Sequence, residues 1–298
     1  MLRSQRTFGL LKIGVVTAVL FVSGCMSWEP GWDRIEKPTK TGDVSALLTE
    51  ANEQIGSADT KDKLIQVVKT YERVLEIEPT NYEALWSLGR YWLLLGYAYS
   101  DTVQEKVSSY NHVMQYCERA MYGNSEFKSL VDTGEPVWDA CRVLSKNEIE
   151  AMYYWYNGVG LYWTECLTGP GRLLNVRWPG RMQKVVSRMI KVDPTWGGGH
   201  PYFARAIYFT QIPGFLGGDL KKAALFFDKA IEAGPNWLYI KWGRAKYYHV
   251  KKKDKQGFKD DLEWVIAQDP RKADSPYPAN VIFQRQAKEM LAHLDNYF

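Results

Sequence analysis

Histidine and cysteine are scarce, with four of each in 298 residues. That is too few for most multi-ligand metal domains, and neither a metal nor another cofactor is expected. No H-E-x-x-H, no G-x-S-x-G and no paired Cys–His signal occurs, so catalysis has no motif to stand on and the protein is not expected to be an enzyme. Carboxylate pairs exist, but 34 acidic residues produce them by chance. Charge of one sign is also lacking: 38 Lys and Arg against 34 Asp and Glu leave +4. No large field survives that balance, which excludes nucleic acid as a partner. From Val44 onward there is no run of alternating strand pattern, and no apolar stretch there is long enough to span a bilayer.

Aromatic residues are abundant instead, with 12 Trp, 19 Tyr and 11 Phe. The first segment is an address. Arg3, Arg6 and Lys12 precede a short apolar run, Ile13 to Val22, which ends in Val22-Ser23-Gly24-Cys25. This order resembles a bacterial lipobox, in which the Cys is lipidated and becomes the mature N-terminus. Residues 1–24 are therefore expected to be a signal peptide and Cys25 the lipidation site. Their removal takes away three positive charges and no negative one, leaving +1. Met26 and Ser27 follow with no Asp beside the Cys, which favours the outer membrane with the body in the periplasm. Residues 25–43 carry Pro30, Gly31 and Pro38 without helical period and are expected to be a lipidated tether, reaching ~60 Å at most.

Residues 44–298 are expected to form one helical repeat domain. A small or apolar residue is followed four later by a bulky one, three later by an apolar one and five later by Pro. The copies are Val67, Tyr71, Val74, Pro79; Met182, Val186, Met189, Pro194; Ala223, Phe227, Ala230, Pro235; and Phe258, Leu262, Val265, Pro270. Val113, Cys117, Ala120 with Ser125 is a weaker copy. Offsets of three and four share one helix face, and Pro cannot continue the helix before it. This is the pattern of the second helix of a tetratricopeptide hairpin. Gly89 and Ala245 fall on first helices, where small residues allow close approach. The fold class is thus all-α: degenerate tetratricopeptide-like hairpins forming a solenoid or toroid, or failing that a generic helical bundle.

Three stretches carry a more specific likeness: PTNYEALWSLGRYWLLLGYAY, the central WYNGVGLYWT, and GGGHPYFARAIYFTQIPGFLGGDLKKAALFFDKAIEAGPN. With the DDLEWVIAQDP segment and the ending FQRQAKEMLAHLDNYF, the chain resembles the T component of TRAP transporters, the TatT lipoproteins. Residues 121–150 do not align with that family's pattern. The resemblance implies a toroid with a cleft or pore, partnership with a periplasmic solute-binding P component, a homotrimer, and the handling of apolar small molecules for uptake. The rival is a tetratricopeptide scaffold for envelope or cell-wall assembly.

On the central helix Met152, Trp155, Val159 and Tyr162 share one face, and Tyr156, Gly160 and Trp163 another. Aromatics on two faces are repeat core or cavity lining; Trp155, Tyr162 and Trp163 are the candidates for the second role. Gly197-Gly198-Gly199-His200-Pro201 opens a helix and has no nucleotide-loop Lys. It is a flexible turn or an anion site, with His200 and Arg205 as receivers of a ligand carboxylate. Phe215, in the turn before the capping Asp219, belongs to that turn or to the cavity mouth. Cys117 and Cys141 are the expected disulfide, because the segment between them is the least regular; three buried thiols, with Cys166, are the alternative.

Overall fold

The computed structural model describes residues 26–35 and 37–298. The expected signal peptide and Cys25 lie outside the described residues. Among these the structure is helices and turns with no strand, and no helix is long and apolar enough to cross a membrane.

Among the described residues the first four α-helices are α1 (Val44–Ile55), α2 (Lys61–Ile77), α3 (Tyr82–Tyr99) and α4 (Val103–Tyr122). Each starts on a side-chain cap, Asp43, Thr60, Asn81 and Thr102 respectively, and Thr102 forms a reciprocal box with Glu105. Each packs on the next in turn. α5 (Ser125–Asp132) and α6 (Val137–Ala140) lead to the central α7 (Ile149–Leu161), which packs against α3, α4 and α9. α8 (Gly169–Leu174), α9 (Trp178–Val192), α10 (Trp196–Gln211) and α11 (Leu220–Ala233) follow. α12 (Leu238–Gly243) continues through a π turn, Arg244–His249, into α13 (Val250–Lys252). α14 (Lys255–Ala267) and α15 (Tyr277–Ala292) pack together at the C-terminal end.

The repeat positions behave as their spacing dictates. Val67, Tyr71 and Val74 are buried, as are the corresponding residues of α4, α9, α11 and α14. Pro79, Pro194, Pro235 and Pro270 each stand in the turn between two helices. Gly89 lies where a Cβ would meet Cys117 Sγ at 2.5 Å, so α3 and α4 approach closely there. The core has one large cluster, centred on α2–α4, α7 and α9, and two smaller ones around α10–α12 and α12–α15.

Two expectations are corrected. The disulfide is absent: Cys117, Cys141 and Cys166 are free thiols. Cys117 is committed to Gly89, and Cys141 packs on Met121 with its sulfur 3.9 Å from Sδ. The intervening segment needs no staple, because Asn124 caps its helix α5 and Phe127 and Val131 are buried. The tether is also not free over its described start. Met26 is buried, Trp28 lies 6.2 Å from Trp155 and 5.3 Å from Trp178, and Trp32 stacks on Tyr122 at 5.7 Å. Pro and Gly make this stretch irregular, but its two Trp give it enough apolar area to bind the body. Further on, the amides of Thr39 and Lys40 donate to the Glu76 carbonyl.

Candidate functional site

Between the large core and the two smaller ones lies a cavity of ≈ 380 Å³. That is the size of a small-molecule pocket. Its wall is mostly apolar and comes from distant parts of the chain: α3, α7, α9, α10, α12 and α15.

Two π turns shape it. α7 passes into a π turn at Tyr162–Cys166, and α12 into the one at Arg244–His249. A π turn inserts one residue into the helical cycle and shifts every following side chain around the axis. Trp163, Thr164 and Glu165 from the first, and Lys246 and Tyr247 from the second, face the cavity.

Lys246 is the most unusual of these. It stands four residues after the buried Trp242. Its Nζ lies 4.9 Å from the Trp242 ring centre, 5.1 Å from that of Tyr97 and 5.4 Å from that of Tyr247. It donates one hydrogen bond to Tyr97 Oη at 2.9 Å, and that hydroxyl donates to Gln286. No carboxylate of the described residues is within ion-pair distance of it. Desolvation lowers the ammonium to about 8, against the opposing pull of Glu165. Glu165 itself is engaged by Lys106 at 2.8 Å and by the Tyr110 hydroxyl. A second cation, Arg90 on α3, also lines the cavity. It lies against the rings of Trp86 and Tyr154 at 4.6 and 5.2 Å, and its Nε donates to Tyr154 Oη.

His200 reaches the wall through a backbone feature. Gly197, Gly198 and Gly199 all have positive φ, at 58°, 68° and 86°. Only glycine takes that conformation without steric cost. The helix proper therefore begins at His200, one residue before Pro201. The imidazole is surrounded by Tyr153, Tyr239, Trp237 and Trp196, with ring centres 4.3–5.1 Å away. Burial lowers its pKa to about 3. Nδ1 bonds the Gly197 carbonyl, which fixes the neutral tautomer with its proton there. His200 is thus a cavity residue, but it is neutral and does not serve as a cation for a carboxylate.

The other expected residues divide. Trp163 lines the cavity, and its Nε1 donates to the Asn175 carbonyl. Trp155 does not: it is 0% exposed and its indole N–H donates to Glu118 at 2.9 Å, so its polar end is satisfied within the core. Tyr162 packs at the edge of the large core, outside the wall. Arg205 lies five residues past His200, a rotation of about 140° around the helix. Its guanidinium turns to Ser187 Oγ at 2.7 Å instead. Phe215 is 87% exposed and is not part of the wall. Its turn adjoins the cavity only through Tyr208, which lines the wall and donates to the Leu216 carbonyl.

Comparison with curated proteins finds no match to the chain. The sequence model of the family described as TRAP transporter T-component, TAtT, matches residues 60–298. The matched span contains the cavity, both π turns and the left-handed glycine turn, and the chain belongs to the TRAP transporter T-component family.

Proposed function

We propose that this T-component is a lipid-anchored periplasmic accessory subunit, which holds an amphipathic organic anion and passes it to or from a solute-binding P component. A binding role fits a mostly apolar wall that carries two cations, Lys246 and Arg90, and a neutral imidazole, with the carboxylate of Glu165 already paired to Lys106. The family places the protein with TRAP transport; the expected lipidation of Cys25 would place it at the membrane. The buried offset residues of five helices support reading the body as a degenerate tetratricopeptide array.

The observation that carries the ligand class is Lys246. A half-buried ammonium among three rings, with hydrogens to spare and no carboxylate partner, is costly to desolvate. A ligand carboxylate would supply the missing counter-ion, while the aromatic and aliphatic wall takes an apolar body. A fluorescent polyene fatty acid tests this. Lys246→Gln is expected to weaken its binding about tenfold, the loss of one charge-assisted hydrogen bond. Binding of the corresponding alcohol should change little. For the unsubstituted protein, carboxylate affinity should fall as pH rises through about 8, where the cation is lost. Equal losses for acid and alcohol, or no binding of either, would refute the anion reading.

A further inference from the structure

The described chain begins at Met26, and its place on the body is fixed. The Met26 amide, which is the nitrogen joined to Cys25, donates to Asn175 Oδ1 at 2.7 Å. Met26 and Asn175 are both buried. Asn175 is held in turn: its side-chain amide donates to the Gly171 carbonyl at 2.8 Å, and its own carbonyl accepts from Trp163 Nε1 at 3.2 Å. The residues on either side of it point outward. Leu173 is 74% exposed, Leu174 60% and Val176 43%. Arg172 and Arg177 flank them and are also exposed. Thus a knob of three bare aliphatic side chains, with an Arg at each end, surrounds the residue that grips the Met26 amide. Elsewhere among the described residues the large exposed apolar side chains are Val103, Phe215, Leu216, Leu225 and Phe298, none of them beside this point in sequence.

Charge supports one occupant. Between Glu165 and Asp193 the sequence has six Lys and Arg and no acid. A protein whose net charge is close to zero thus carries a wholly basic segment around its apolar knob. Exposed Leu and Val between Arg side chains suit a lipid interface, where aliphatic groups enter the acyl boundary and guanidinium groups meet phosphates. Acyl chains on Cys25 would be carried by the residue next to Met26, whose Cα lies about 3.8 Å from that of Met26 across a trans peptide.

We infer that Arg172–Arg177 is a membrane-docking surface, which seats the body directly on an anionic lipid leaflet beside the acylated Cys25. The inference rests on the lipidation proposed above and adds an orientation to it. The protein does not hang on a free tether. It lies with the loop between α8 and α9 against the headgroups. Trp163, whose indole is bonded to Asn175, ties the cavity wall to the same loop.

The test uses the full chain, processed in a bacterial envelope and reconstituted into vesicles of phosphatidylethanolamine and phosphatidylglycerol that contain nitroxide lipids. The mass of the N-terminal peptide reports the acylation of Cys25 separately. An environment-sensitive label on Leu174→Cys should lose more than half its fluorescence to the nitroxide. A label on Glu263→Cys, exposed on α14, should be quenched only slightly. Arg172→Glu with Arg177→Glu should abolish the difference while leaving acylation intact. If Cys25 is acylated but position 174 is quenched no more than position 263, the docking surface is refuted and the anchor stands. If Cys25 is not acylated and the protein stays off the vesicles, both fall. If position 174 is unquenched in vesicles but shielded from an impermeant thiol reagent in the native envelope, a protein covers the knob and the lipid reading is wrong.

Discussion

Glu118→Ala is expected to destabilise the protein by about 3–5 kcal/mol, because it leaves three buried donors unsatisfied at about 1–3 kcal/mol each. Glu118 is wholly buried in α4. Its Oε1 accepts from the indoles of Trp28 at 2.8 Å and Trp155 at 2.9 Å, and its Oε2 accepts from the Gly31 amide at 2.8 Å. One carboxyl thus joins the N-terminal strap, α4 and α7. Truncation leaves three donors without a partner and opens a cavity beneath Trp28. Denaturant unfolding followed by Trp fluorescence measures the cost; a loss below about 1 kcal/mol would show that water replaces the carboxyl at little expense.

The same residue gives a pH signature. Desolvation raises its pKa from 4.5 to about 7, although the two indoles and the Gly31 amide pull it down. The native state therefore keeps a proton that the unfolded chain has released. The sign follows: the stabilisation is full below 4.5 and is lost as pH rises to about 7. A shift of that size corresponds to about 3 kcal/mol. Unfolding free energies measured across this window should fall more steeply with pH for the parent protein than for Glu118→Ala. Parallel slopes would mean that Glu118 is ionised throughout.

Helix faces were legible because burial follows spacing. Tyr71, Phe227 and Phe258 sit where offsets of four and three place them, and each is wholly buried. Prolines marked the turns for the reason that they cannot continue a helix. The cavity was only partly legible. Trp163 and Tyr162 are adjacent, and the π turn that begins at Tyr162 decides which of them faces the cavity. A pattern reading with regular helical period has no access to that extra residue. Lys246 did leave a trace, as a lysine four residues after the buried Trp242. Arg205 misled because closeness in sequence to His200 is not closeness around a helix. Trp155 misled because its N–H partner, Glu118, is 37 residues away. The apparent tether failed for a compositional reason: Pro and Gly set its backbone, but Trp28 and Trp32 decide where it goes.

Gly198→Ala is expected to cost about 3–4 kcal/mol and to abolish ligand binding. Two effects combine. An L-residue held at φ 68° costs about 1–2 kcal/mol relative to glycine. The added Cβ would also run into the indole of Trp237, and forcing a methyl into a filled site costs about 1–3 kcal/mol more. The indole cannot yield without consequence, since Trp237 lines the cavity and packs edge-on to His200 at 4.8 Å. Its displacement opens the aromatic enclosure that keeps the imidazole neutral. Gly199 closes the other direction of relief: its Cβ position lies 3.0 Å from Ala230 Cα, where the start of α10 rests on α11. Gly214 supplies the control. It stands in the neighbouring turn, where an added methyl would have nothing within 4 Å, and its φ is not positive. Gly214→Ala should therefore change stability by only about a few tenths of a kcal/mol and leave the fatty-acid probe bound. Urea unfolding and probe titration on the two variants separate the cases. Equal behaviour would mean that the left-handed turn does not hold Trp237 and His200 in the wall, and that the cavity keeps its shape by the packing of α7 and α12 alone.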